Sequence, residues 1–215
     1  MSRSKYDGLS SYITQKIINK WKNSQDAEMS SFFLSIERNN LEFDVHARLF
    51  IVTDEEIGFK VIETTGADAR EYDDDGDYQT PFILIDFAVN KTWLPRYWSE
   101  IYYQLCDVVR HEIEHITQDG KEIGNYRNGK PCEDDSIIRA MINNGLMEQS
   151  KYPILPKEID ANLQGLRFES RKRRKKMINT INNYFNIQGF STNEQDDILK
   201  IWRQRAKKIG GIPTF

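Results

Sequence analysis

The chain has 215 residues, 39% of them hydrophobic and 29% charged, with a net charge of −3, which is the balance of a water-soluble globular chain long enough for one ordinary core. No stretch approaches the length of a membrane span, and the opening Met1-Ser-Arg-Ser-Lys-Tyr-Asp-Gly lacks the apolar segment of a signal peptide, so the expected setting is a cytosol. Two cysteines, Cys106 and Cys132, form no paired framework. One domain over 1–215 is the expectation, with a basic helical C-terminal region from about 165.

In chain order, Tyr12 to about Lys22 reads as a helix whose Ile13, Ile17, Ile18 and Trp21 form a stripe, and Ala27–Arg38 reads as a second helix. Short strands follow at about Glu42–Val52, Gly58–Glu63 and Phe82–Ala88. The acidic run Glu71–Asp77 between the last two fails the EF-hand pattern, because Phe82 stands where a bidentate glutamate is needed, and it reads as a solvated loop. A turn containing Pro95 leads into a long amphipathic helix, Leu94 to about Gln118, anchored by Ile101, Leu105, Val108, Val109 and Ile116. Beyond it lie a polar loop, Asp119–Asp134, and a short helix near Ser136–Met147. Pro156 then suits the first turn of a helix that continues to about Asn183. A last helix, Glu194–Lys208, is preceded by the capping signal Ser191-Thr-Asn-Glu194. The fold expectation is α+β: a small sheet, one central helix and a helical C-terminal half.

The central helix carries His111-Glu112-Ile113-Glu114-His115, an HExxH pentapeptide that uses two of the three histidines in the chain. At i and i+4 the imidazoles share one face, one turn apart, so both can reach one tetrahedral zinc ion, with Glu112 beside it as candidate general base. A catalytic zinc takes three protein ligands and leaves a fourth position open, so one ligand comes from elsewhere. The candidates are Glu158 near the start of the Pro156 helix and Asp160, two residues on, while His46 reads as a sheet histidine. Asp160 and Asp107 are also candidates for the carboxylate that receives the other N–H of a liganded histidine. Cys132, in the loop between the two helices, is an ordinary loop cysteine or a thiolate within reach of the metal, and Cys106 is a small core residue.

HExxH followed by a helix bearing Glu-x-x-Ala resembles the gluzincin branch of the zincin metallopeptidases, in particular its small, minimal members. The match is His111, Glu112 and His115 in the first helix with Glu158 and Ala161 in the second, and it covers about Phe82 to Leu166. The wording of the two motifs, Val108 to Gln118 and Leu155 to Ala161, is also similar to zincin-like proteins of tailed bacteriophages, which would set the protein in a host cytoplasm or a virion. The resemblance implies a zincin-like fold, Zn2+ held by His111, His115 and Glu158, a small Ala161 that lets helices approach, and hydrolysis of a peptide or protein substrate with Glu112 as base. It further implies an extended substrate along Phe82–Ala88 as an edge strand and an oxyanion-stabilising residue, for which Tyr126, Tyr152 and His46 are candidates.

Charge divides unevenly. Residues 151–215 hold 14 Lys and Arg against 6 Asp and Glu, a local charge of +8, so the remainder carries −11. Much of the excess is Arg171-Lys-Arg-Arg-Lys-Lys176, either a contact for nucleic acid or an acidic protein surface, or the solvated side of the C-terminal helices. Two rival functions follow: a zincin scaffold kept for binding or as part of a virion, and a nucleic-acid-associated protein working through its basic half.

Overall fold

A computed structural model describes residues 5–24, 28–52, 59–66, 80–91, 94, 98–118, 131–209 and 212–215, with 5, 59–66, 131–136 and 149 described by their backbone alone. The chain divides into two compact units, Met1–Asp119 and Gly120–Phe215. The acidic run 71–77, Pro95, Tyr126 and the side chain of Cys132 lie outside what is described.

The first unit begins with helix α1 (Lys5–Lys22), which buries Leu9, Ile13, Ile17, Ile18 and Trp21, the i, i+4 stripe expected of a helix laid on a sheet. Strands β1 (Met29–Arg38), β2 (Leu41–Val52), β3 (Phe59–Gly66) and β4 (Phe82–Asn90) form one four-stranded mixed sheet in the order β1-β2-β4-β3. β1 pairs antiparallel with β2, β2 parallel with β4, and β3 antiparallel with β4, with a register shift between Val61 and Glu63. Odd-numbered residues of β2 and β4 (Phe43, Val45, Ala47 and Leu49, then Ile83, Ile85, Phe87 and Val89) are buried, as the period of two demands for a sheet covered on that face. Helix α2 (Trp98–Gln118) completes the core with Ile101, Leu105, Val109, Ile113 and Ile116. Each such side chain withdrawn from water contributes about 1.5–3 kcal/mol.

Three sequence expectations need correction here. The segment Ala27–Arg38 does not form a helix: 29–38 is β1, with Phe32, Leu34 and Ile36 turned toward the core and Phe33 outward. The turn closing it is Asn39-Asn40, with φ of 57° and 62°, the positive pair that a two-residue type I′ hairpin requires and that asparagine tolerates. Phe82–Ala88 is a strand but not an edge, because β4 is hydrogen-bonded to β2 on one side and β3 on the other. The helix carrying Glu158 does not run on to Asn183: it stops at Arg173, and Arg174 takes left-handed backbone at φ 54°.

The second unit is helical. Helix α3 (Pro131–Asn143) and a 3₁₀ segment (Gln149–Ile154) lead into α4 (Pro156–Arg173), α5 (Met177–Gln188) and α6 (Thr192–Ile209). Its own core gathers Ile159, Leu163, Leu166, Met177, Ile181, Phe185, Ile198, Leu199, Trp202 and Ala206. Trp202 packs against Phe185 of α5 with ring centroids 5.5 Å apart and tilted, and donates its indole N–H to the Pro153 carbonyl at 2.8 Å, so one residue of α6 holds α5 by its apolar body and the 3₁₀ segment by its polar edge. The start of α6 follows its capping signal: the Ser191 N–H and hydroxyl both donate to Glu194, at 2.8 and 2.6 Å. Among the described residues no helix is long and apolar enough to cross a membrane.

Candidate metal centre

The HExxH residues occupy the second half of α2. Their placement follows from which face the helix buries. Val109, Ile113 and Ile116 point into the core, His111 and His115 are half-buried at its margin, and Glu112 falls on the buried side with 3% of its surface exposed. The two imidazoles meet edge to face, ring centroids 4.7 Å apart, with Nε2 of His111 3.0 Å from Nε2 of His115. Two nitrogens that each lie about 2.0–2.1 Å from one tetrahedral zinc stand about 3.3 Å apart, so this separation is close to that of a liganded pair.

Glu158 is in the first turn of α4, after Leu155 in extended backbone and Pro156, whose missing N–H costs nothing at that position. The helix N-terminus favours a carboxylate there. Glu158 is 2% exposed, and His111, His115 and Glu158 each offer one ligand atom, the three atoms all lying within 4.8 Å of one another. Two imidazoles and one carboxylate form a clustered, partly buried site able to chelate a divalent ion, consistent with a zincin-type HExxH centre. The resemblance drawn from the sequence therefore holds in the arrangement of these three residues.

One of the four HExxH and Glu158 side chains has an unmet demand. Glu112 Oε2 is buried and has no hydrogen-bond partner among the described residues. A carboxylate oxygen withdrawn from water and left unpaired is destabilising, and such a group in a folded protein calls for an explanation outside packing. Glu112 stands next to His111 of the three-residue cluster.

Two supporting contacts were not singled out from the sequence. Nδ1 of His115 is 3.1 Å from Oε1 of Gln118, a buried residue one turn further along α2. The signal for it is the i, i+3 spacing, which places side chains on one helix face. Arg139 donates from Nη2 to Glu158 Oε1 at 2.6 Å and from Nη1 to Tyr152 Oη at 2.8 Å, its guanidinium lying 5.1 Å from the centre of the Tyr152 ring. A guanidinium on a buried carboxylate offsets the cost of burying that charge. Burial first, and then the neighbouring Glu158 charge, push the Tyr152 phenol up to about 12, so it is a neutral hydroxyl at ordinary pH.

The other candidates go elsewhere. Asp160 is held by Arg205 of α6 through two bonds, Nε to Oδ1 at 2.7 Å and Nη2 to Oδ2 at 2.6 Å, and it is not one of the three clustered residues. His46 lies exposed on β2 between the rings of Phe33 and Phe82, at 4.7 and 6.3 Å. Cys106 is buried, as expected of a core residue, and is in no disulfide among the described residues. Within the basic run, Arg171, Arg174, Lys175 and Lys176 are exposed at the end of α4 and the start of α5, while Arg173 pairs with Glu169 at 2.5 Å. Compared with known protein families, with curated proteins and with solved structures, the chain has no match.

Proposed function

We propose that the protein is a zinc-dependent peptidase in which His111, His115 and Glu158 hold the ion and Glu112 is the general base. The observation that carries this reading is the convergence of two imidazole nitrogens and one carboxylate oxygen beside a buried glutamate with an unengaged oxygen. Bound zinc supplies Lewis acidity, which acidifies water and polarises a carbonyl. Glu112 takes the proton of the attacking water and passes it to the leaving amine. Its burial suits this work: Oε2 makes no hydrogen bond among the described residues, so it can take a proton without first breaking another bond. Arg139, itself bonded to Tyr152, donates to Glu158 Oε1 and orients that carboxylate. An extended peptide adding by backbone pairing needs a sheet edge, and β3, the outermost strand on the α2 side, provides one where β4 does not.

A structural zinc has no use for a base, which sets the test. Glu112→Gln keeps size and hydrogen bonding but cannot take a proton at neutral pH. Purified parent and variant should both hold about one zinc per chain, and the variant should lose roughly 10²–10⁴-fold in cleavage of an unstructured peptide library. Equal cleavage by both would assign the activity to another site or to a contaminant. Zinc in both with cleavage by neither would favour the binding reading, and stoichiometric zinc surviving in a His111→Ala/His115→Ala double variant would remove the HExxH site altogether.

A further inference from the structure

A histidine that ligates through Nε2 must present a lone pair there, which requires its proton on Nδ1. In solution the free imidazole places the proton on either nitrogen, and what fixes it in a protein is the partner of the other nitrogen. For His115 that partner is Gln118. Its amide oxygen lies 3.1 Å from Nδ1 and can only accept, so the contact requires an N–H on Nδ1 and leaves Nε2 bare. Gln118 is 4% exposed at the last turn of α2, where water competes little for the bond. The bared nitrogen is the one that lies 3.0 Å from Nε2 of His111, the other imidazole of the three-residue cluster.

We infer that Gln118 is a positioning residue that sets the tautomer and the ring orientation of His115, so that Nε2 is ready for a metal ion before one arrives. This rests on the metal reading of the HExxH pair, but it makes a separate claim about the metal-free protein. The choice of an amide has a chemical consequence. A carboxylate in its place would draw the Nδ1 proton more strongly and raise the basicity of Nε2, whereas the neutral amide orients the ring while leaving it an ordinary imidazole donor.

The test uses the full chain, labelled at histidine, and reads two quantities. The carbon and nitrogen NMR shifts of His115 in the metal-free protein report its tautomer at a pH where the ring is neutral. Zinc affinity is read separately by competition with a chelator. The parent should show the Nδ1–H form; Gln118→Ala should show a mixture and bind zinc about 10–100-fold more weakly, the usual cost of losing such a partner. Gln118→Glu should restore the Nδ1–H form and recover affinity relative to Gln118→Ala, which a purely packing role of the side chain would not do. An Nε2–H tautomer in the parent, or an unchanged tautomer and affinity in Gln118→Ala, would overturn the inference. A parent that shows the Nδ1–H form but binds no zinc would instead sink the metal reading and leave the positioning role standing. If Gln118→Ala fails to fold, Gln118→Asn, which keeps the amide one methylene short of the ring, must show the same loss of tautomer control.

Discussion

Two carboxylates in one turn of α4 have been assigned opposite work by their partners. Glu158 is one of the three clustered residues and is bonded by Arg139, while Asp160 is occupied on both oxygens by Arg205 and ties α4 to α6. Alanine at each position should therefore fail in different assays. Glu158→Ala removes a ligand atom and should weaken zinc binding by more than the roughly 10–100-fold that loss of a supporting partner costs. Asp160→Ala should leave zinc affinity within a few-fold of the parent and lower stability instead. Arg205 is 29% exposed at its side chain and keeps part of its hydration, so the loss should be about 1–3 kcal/mol rather than that of a wholly buried pair. Chelator competition and denaturant unfolding on both variants separate the two effects. A large zinc defect in Asp160→Ala with a normal unfolding curve would transfer the ligand role. At this scale the HExxH pair was legible because helical spacing alone brings i and i+4 together. Gln118 was within reach by the same rule. Arg139 was not, because its contact with Glu158 spans 19 residues and is made by the packing of α3, the 3₁₀ segment and α4, which no local pattern encodes.

At the scale of elements, legibility followed the strength of the local period. The stripes of α1 and α2, the alternation of β2 and β4, and the cap of α6 are each stated in a few adjacent residues. β1 was misread because Phe33 interrupts the alternation of Phe32, Leu34 and Ile36 and gives the segment a helical texture. Its determinants are the turn at Asn39-Asn40 and ten cross-strand pairs with β2, and the pairs are invisible from one strand. The break between α4 and α5 was missed for another reason: a helix commonly ends on glycine, and here the left-handed residue is Arg174. The N–H of Lys175 reaches the Ser170 carbonyl at 2.9 Å, closing the helix end as a glycine would. Left-handed backbone costs a residue with a Cβ about 1–2 kcal/mol, of which glycine would return about 0.5–1 through the larger entropy of its unfolded chain. Arg174→Gly should then stabilise the protein by a net of about 0.5–1 kcal/mol, read as a higher denaturation midpoint with an unchanged slope. A destabilised variant would mean that the Arg174 side chain, exposed as it is, makes a contact worth more than its backbone strain.

At the scale of the whole molecule, stability and metal occupancy are linked. A ligand that binds only the folded chain adds RT ln(1 + [L]/Kd), about 2.7 kcal/mol when free metal is a hundredfold above its dissociation constant. For a chain of this size each kcal/mol moves the melting temperature by about 2–4 °C, so saturating zinc should raise it by roughly 5–11 °C and a chelator should reverse the shift. The variants order the response. Glu112→Gln should shift as the parent does, since Glu112 is not one of the three clustered residues; Glu158→Ala and His115→Ala should lose most of the shift, and Gln118→Ala should reach it only at higher zinc. Stability in the absence of metal gives the complementary view, because Glu158 is already neutralised by Arg139 and α1, the sheet and α2 close over an apolar core of their own. The protein should therefore fold without zinc and gain from it, unlike small zinc domains whose only core is the ion. A metal-free chain that is unfolded by circular dichroism would show that the ion is part of the fold, and zinc that leaves the melting temperature unmoved would show that the folded chain has no affinity for it in excess of the unfolded one.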